Sequence, residues 1–193
     1  ATDAPNLTNA TTTARCFEFC TDLLTINTSN WDFSTITSCR EMFKSCTSAT
    51  SVGDLSTWDT SNMTDIKNLF FGCNNLENPA IHNWDTSNVM QVGAMLRGVL
   101  NFNRSLAAWD IGNIVDLSGF MTFGGGNFSV ANYDATLISW KNQDPNTGLS
   151  PDFGSAKFTK SPSDAEASRT ILTNALPTPS GYAWTITDGG ATS

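Results

Sequence analysis

The sequence predicts an α/β solenoid of about five strand–helix turns, each 25–27 residues long, closed by a C-terminal α/β cap. Three observations carry that expectation. A tryptophan-aspartate pair recurs as Trp31-Asp32, Trp58-Asp59, Trp84-Asp85 and Trp109-Asp110, at spacings of 27, 26 and 25 residues. Between the pairs, apolar residues fall in register from one period to the next. From about Ser129 the period stops and the composition changes. The expected organisation is a repeat array over residues 1–130, with an imperfect first turn at 5–30, followed by a capping segment over 131–193.

The first turn fits the frame once shifted by 26 residues: Asn9 falls on an asparagine row, Cys16/Phe17 on a Met/Phe row and Cys20 on a cysteine row. In the later turns the asparagine row is Asn62, Asn88 and Asn113, with Thr35 before them. Apolar rows follow as Ile36/Met63/Val89/Ile114 and Cys39/Ile66/Val92/Leu117. Next come the adjacent pairs Met42/Phe43, Leu69/Phe70, Met95/Leu96 and Phe120/Met121, then Cys46/Cys73/Val99. Steps of 3, 3, 1 and 3 between these rows are one face of a short helix. Ser, Thr and Asn at its start would supply N-cap oxygens. Leu55, Ile81 and Leu106, three residues before Trp, suggest a short strand through each Trp. A strand and a helical turn per period is the leucine-rich-repeat kind of unit, whose apolar face is buried only by stacking.

In the cap, Tyr133–Trp140 reads as a helix with Tyr133, Leu137 and Trp140 on one side. Residues 142–155 form a Pro/Gly/Asn-rich loop. Ser163 and Glu166, in capping-box spacing, open a second helix through Leu176, which Pro177-Thr178-Pro179 ends. Tyr182–Thr187 alternates as a strand, and Asp188-Gly189-Gly190 closes the fold.

Composition narrows the function. Charged residues are only 15% and the net charge is −8 with ten Lys+Arg, so no basic patch for nucleic acid is visible. No apolar run is long enough to span a bilayer, so membrane insertion is not expected. No signal peptide heads the chain, which fits a processed protein or an excised domain.

The run Trp58-Asp59-Thr60-Ser61-Asn62-Met63-Thr64-Asp65, followed by Leu69-Phe70-Phe71-Gly72-Cys73, resembles the roughly 25-residue repeat of BspA-like leucine-rich-repeat bacterial surface proteins, W-D-x-S-N-V-x-D-M then M-F-x-G-C. The likeness covers residues 5–128. Gly112 in place of Ser, Gln91 in place of Asp, and Val99 and Gly124 in place of Cys depart from it. The closing stretch from Gly181 to Gly190 resembles the end of many such arrays. The resemblance implies a secreted or surface-displayed adhesion module and brings no catalytic residues.

The stacked Asp row could hold Ca²⁺ or form repeated Asx-turns; the Ser and Asn that follow favour the turns, which need no ion. No metal site and no cofactor are expected. The five cysteines read as packing thiols, against the alternative of a Cys20–Cys46 disulfide. His82, the sole histidine, would have to serve any Ser–His–Asp triad, but its place beside Trp84 reads as surface. The Trp row could stack sugars but reads as core. Residues that break the pattern on outward positions are the binding candidates: Phe71, where other turns carry Lys44, Arg97 and Thr122; Arg97 itself; Phe102 and Arg104 in the Phe102-Asn103-Arg104 loop; and Asn127 in the Gly124–Phe128 loop.

These readings point to a non-enzymatic recognition module, extracellular or on the cell surface, that binds a protein or glycan of another cell. At a fibre tip it would be a homotrimer. The alternatives are a structural spacer and, less favoured, a carbohydrate-active hydrolase with two carboxylates in a cleft.

Overall fold

The computed structural model describes residues 4–160, 163–174 and 181–192. It corrects the expected fold class. Among the described residues there is no β-strand, and α-helix is confined to α1 (Val130–Lys141) and α2 (Asp164–Thr173), both beyond the repeats. The repeats contain one short 3-10 turn, Leu55–Thr57. The strand–helix solenoid read from the sequence is therefore not what forms.

The helix fails because the backbone reverses hand at every fourth residue. Arg15 and Phe19, Glu41 and Ser45, Asn68 and Gly72, Ala94 and Gly98, and Gly119 and Phe123 all have φ between 52° and 78°. A right-handed helix admits none of these. Each such segment is instead a train of overlapping turns. In one period the Met42, Lys44 and Cys46 amides donate to the carbonyls three residues back, of Cys39, Glu41 and Phe43. The alternate amides, of Cys39, Glu41, Phe43 and Ser45, donate across to Asp65, Lys67, Leu69 and Phe71 of the next period at 2.6–3.0 Å. The same alternation joins Ile66, Asn68, Phe70 and Gly72 to Gln91, Gly93, Met95 and Arg97. Half of the backbone donors thus close turns and half tie successive coils, which satisfies a buried backbone without helix or sheet. Isolated parallel bridges mark the register: Thr12 with Ser38, Ser38 with Asp65, Asp65 with Gln91, and Gln91 with Asp116.

Side-chain rows run along the same axis. Ile36, Met63, Val89 and Ile114 are buried, as are Cys39, Ile66, Val92 and Leu117. Phe17, Phe43 and Phe70 stack nearly parallel, with centroids 5.4 and 5.9 Å apart. Trp58 and Trp84 stack at 5.6 Å. Trp31 is only partly buried, and Phe33 covers Trp58 in its stead at 3.9 Å. Each buried indole N–H finds an acceptor in an earlier coil: Trp84 donates to the Leu55 carbonyl and Trp109 to the Ile81 carbonyl, both at 2.8 Å.

The asparagines do not cap helices, as the sequence suggested. The side-chain amides of Asn62, Asn88 and Asn113 donate to the carbonyls of Ser34, Ser61 and Ser87 in the preceding coil at 2.6–2.8 Å. The aspartates do form Asx-turns. Asp32, Asp59 and Asp85 each accept the backbone N–H and the hydroxyl of the serine two residues on, and Asp110 accepts the Gly112 N–H. The serine hydroxyl and amide hold the Asp32 and Asp85 carboxyls below the usual range.

The cap continues these rows. Ser129 caps α1 by accepting the Asn132 N–H, and Trp140 at its far end donates to the Leu106 carbonyl at 3.0 Å. Leu106 follows Leu55 and Ile81, so Trp140 occupies the next place in the indole row. Asn146 does the same for the asparagine row, donating to the Gly112 and Ile114 carbonyls. The segment expected as a strand, Tyr182–Thr187, is irregular, with Ala183 left-handed at φ 54°. Its Thr185 and Thr187 amides donate to Leu149 and Pro151, and it carries a single bridge, Asp152 with Thr187. Ser163 caps α2 by accepting the Glu166 N–H; the predicted helix end at Leu176 and Pro177-Thr178-Pro179 lies outside the described residues. A buried clasp pins α2 to the closing turn. The Asp188 carboxylate takes the Tyr133 hydroxyl and the Arg169 Nε, both at 2.8 Å.

Candidate ligand-binding site

The overlapping turns aim one row of side chains outward from each coil, at Glu18, Lys44, Phe71, Arg97 and Thr122, and the next row holds Phe19, Ser45, Gly72, Gly98 and Phe123. Along the stack these produce an alternation of aromatic and cation. The Lys44 ammonium lies 5.5 Å from the Phe19 ring. The Arg97 guanidinium lies 5.3 Å from the Phe71 ring on one side and 5.1 Å from the Phe123 ring on the other. A cation held over an aromatic face is attracted by the ring quadrupole, and a guanidinium between two rings is fixed in orientation.

The sandwich borders an open cleft of about 420 Å³ that Gly72, Asn74, Gly98 and Leu100 also line. The glycines hold φ of 75° and 78°. A Cβ on Gly98 would sit 3.6 Å from the Gly72 Cα, so the two coils meet there as bare backbone. Phe123 stands in the same left-handed row at φ 62° and is 74% exposed. Neither its backbone preference nor burial accounts for an aromatic at that position.

Charge sets Arg97 apart. Arg15 pairs with Glu41 at 2.6 Å, Arg40 with Asp65 at 3.1 Å, Lys44 with Glu18 at 2.9 Å and Lys67 with Asp116 at 2.6 Å. Arg104 donates from Nε to the Asn78 carbonyl. Among the described residues, the Arg97 side chain makes no ion pair and no hydrogen bond. Its guanidinium contacts two aromatic rings and lines the cleft with its N–H donors unpaired.

Of the five candidates named from sequence, the structure brings together Phe71 and Arg97. Phe102 is 1% exposed and packs against Phe128, so its reading as an outward loop residue is corrected. Arg104 lies away from the cleft, half-buried against Asn78. Asn127 donates to the Leu100 carbonyl and so fixes the rim of the cleft without lining it. Its neighbouring glycines answer to packing: a Cβ on Gly125 would lie 2.0 Å from the Phe153 carbonyl oxygen. Phe123 and Leu100 were missed. Phe123 was legible in principle, as an aromatic on the row that elsewhere holds Ser45, Gly72 and Gly98.

The other tempting residues have structural occupations. All five cysteines are free thiols; Cys39, Cys46 and Cys73 are buried as packing thiols, whereas Cys16 and Cys20 are exposed, which corrects the packing reading for those two. Burial pushes the Cys39 and Cys73 thiols up to about 12 and Cys46 to about 11. The Cys46 and Cys73 thiols donate to the carbonyls of Phe17 and Phe43. Burial, and then Arg104 nearby, lower the His82 pKa, and its Nδ1 is buried with no hydrogen-bond partner. A triad needs that ring hydrogen-bonded to both a nucleophile and a carboxylate. No three of His, Cys, Asp or Glu among the described residues group so as to hold a metal ion.

Residues 37–144 match the family described as "Mycoplasma protein of unknown function, DUF285". No curated protein matches the chain, and no solved structure matches it.

Proposed function

This chain belongs to the DUF285 family, and from that premise we propose that it is a non-enzymatic recognition module, displayed at a bacterial cell surface, that binds a protein or glycan on another cell. The observation that carries the reading is the Phe71–Arg97–Phe123 sandwich beside an open cleft. Partly exposed Phe71, exposed Phe123 and an arginine without an ion pair are the residue types that dominate recognition energetics. The BspA-like pattern of the repeats adds to it, since that resemblance carries surface adhesion with it. No helix among the described residues is long and apolar enough to cross a membrane.

Binding of the fluorescently labelled chain to whole bacterial and host cells, run beside a glycan array, tests the reading. Saturable binding that falls at least tenfold in Phe71→Ala supports it. Absence of binding to every cell type by the folded protein would favour a structural spacer.

A further inference from the structure

We propose that the cleft beside Arg97 takes a peptide segment of a protein in which a carboxylate stands next to an apolar side chain. The inference rests on the recognition reading above and names its ligand.

The argument begins with the guanidinium. Rings centred 5.3 and 5.1 Å from its carbon contact it without using its donors, so its N–H edge remains available to a ligand. That edge is a planar fork of donors, which matches a carboxylate bidentately. Every other Lys or Arg of the repeats has a carboxylate or carbonyl partner within 3.3 Å, and Arg97 has none among the described residues. On a chain of net charge −8, one unneutralised cation held rigidly between two rings is a specific point of attraction for an anion.

The rest of the cleft says what the carboxylate is attached to. Phe123 is 74% exposed and Leu100 48%. With Phe71 they make the cleft lining largely apolar, and Gly72 and Gly98 add no side chain that a ligand would have to displace. Among the described residues, Asn74 and Arg97 are the polar side chains that line the cleft. A sugar presents hydroxyls around its whole ring and needs several converging hydrogen-bond partners. A carboxylate beside a Leu, Phe or Met side chain needs one fork and an apolar lining, which is what is present. Aromatic and arginine anchors around a water-excluding centre are also the usual composition of protein hot spots.

The test uses the full 193-residue chain and arrayed synthetic peptides that place Asp or Glu beside Leu, Phe or Met, each in C-terminally amidated and free-acid form. Saturable binding is expected, falling at least tenfold when the peptide Asp is replaced by Asn. Free-acid forms that bind without an internal Asp or Glu would assign the carboxylate to a chain terminus, and amidated forms that bind would assign it to a side chain; both support the proposal. Arg97→Ala should abolish binding and Arg97→Lys should leave it several-fold weaker, because an ammonium has no fork. Phe123→Ser restores the residue type found at Ser45 in the same row, so the fold should be retained, with binding reduced at least tenfold. An unchanged circular dichroism spectrum and Tm checks that retention. Saturable binding of the amidated Asp and Asn peptides with equal affinity overturns the proposal, because no carboxylate is then required. So does an Arg97-dependent hit on the glycan array with no peptide bound, although that outcome leaves the recognition reading standing. Cell binding that survives Arg97→Ala and Phe123→Ser also overturns it, placing recognition elsewhere on the stack. Loss of all cell binding in the unaltered chain overturns both.

Discussion

Ala94→Gly and Gly98→Ala, made separately, test the turn ladder against the helix that the apolar spacing suggests. Both residues lie in one coil, four positions apart, with φ of 52° and 78°. A left-handed backbone costs a non-glycine residue about 1–2 kcal/mol. Ala94→Gly relieves that strain and loses about 0.5–1 kcal/mol to the greater freedom of glycine in the unfolded chain. The net effect is neutral to stabilising, by up to about 1.5 kcal/mol. Gly98→Ala incurs the strain and recovers only about 0.4–1 kcal/mol of unfolded-state entropy. Its Cβ would lie 3.0 Å from the Asn74 Oδ1, the far end of an exposed side chain that can give way. A net loss of about 1 kcal/mol follows. In a helix the signs reverse, because glycine in a helix interior costs about 1 kcal/mol relative to alanine. Urea denaturation followed by tryptophan fluorescence gives both values, and at this size 1 kcal/mol corresponds to about 2–4 °C in Tm. A Gly98→Ala protein more stable than the Ala94→Gly protein would refute the ladder.

Trp140→Phe removes the indole N–H from the Leu106 carbonyl, which keeps the Trp109 amide as a donor, so the lost hydrogen bond costs about 0.5–1.5 kcal/mol. Limited proteolysis should then cut first within the cap, between residues 130 and 192. Thiol titration of the native protein at pH 8 should show two fast groups, the exposed Cys16 and Cys20, and five after unfolding; fast reaction of Cys39 or Cys73 would contradict their burial. Burial alone would raise the Asp116 carboxyl, but hydrogen bonds from Lys67 and Ser118 outweigh it and hold it low. Glu41 behaves likewise, with burial outweighed by Arg15, Asn68 and Lys44. A carboxyl with a depressed folded pKa contributes stability that is complete above its unfolded value, about 4, and lost as pH falls through the folded value. Stability should therefore hold above about pH 5 and fall below pH 4. Asp116→Asn should lower the plateau and flatten that fall; a pH profile identical to that of the unaltered chain would contradict the Lys67 pairing.

Much of the residue arrangement was already legible along the chain. The spacing of the Trp-Asp pairs located the coils, since stacking forces equal side chains into equal places. Asp followed two residues later by Ser dictated the Asx-turns through purely local hydrogen bonds. Ser163 and Glu166 located the start of α2 for the same reason. The candidate site was half legible: Phe71 and Arg97 broke the pattern on outward positions, whereas Phe102 in its irregular loop turned inward to Phe128. What only the tertiary structure decided was the backbone between the rows. Apolar residues at steps of 3, 3, 1 and 3 suit one face of a helix, and they equally suit a train of turns whose alternate amides bond to the next coil. Local pattern cannot separate the two, because the deciding acceptors lie 24–26 residues away, on Asp65 for Cys39 and on Asp116 for Val92. The hint was Gly72 and Gly98 inside the supposed helices, where glycine is costly. It acquires its meaning once the neighbouring coil supplies the carbonyls that make a left-handed residue the better bonded one.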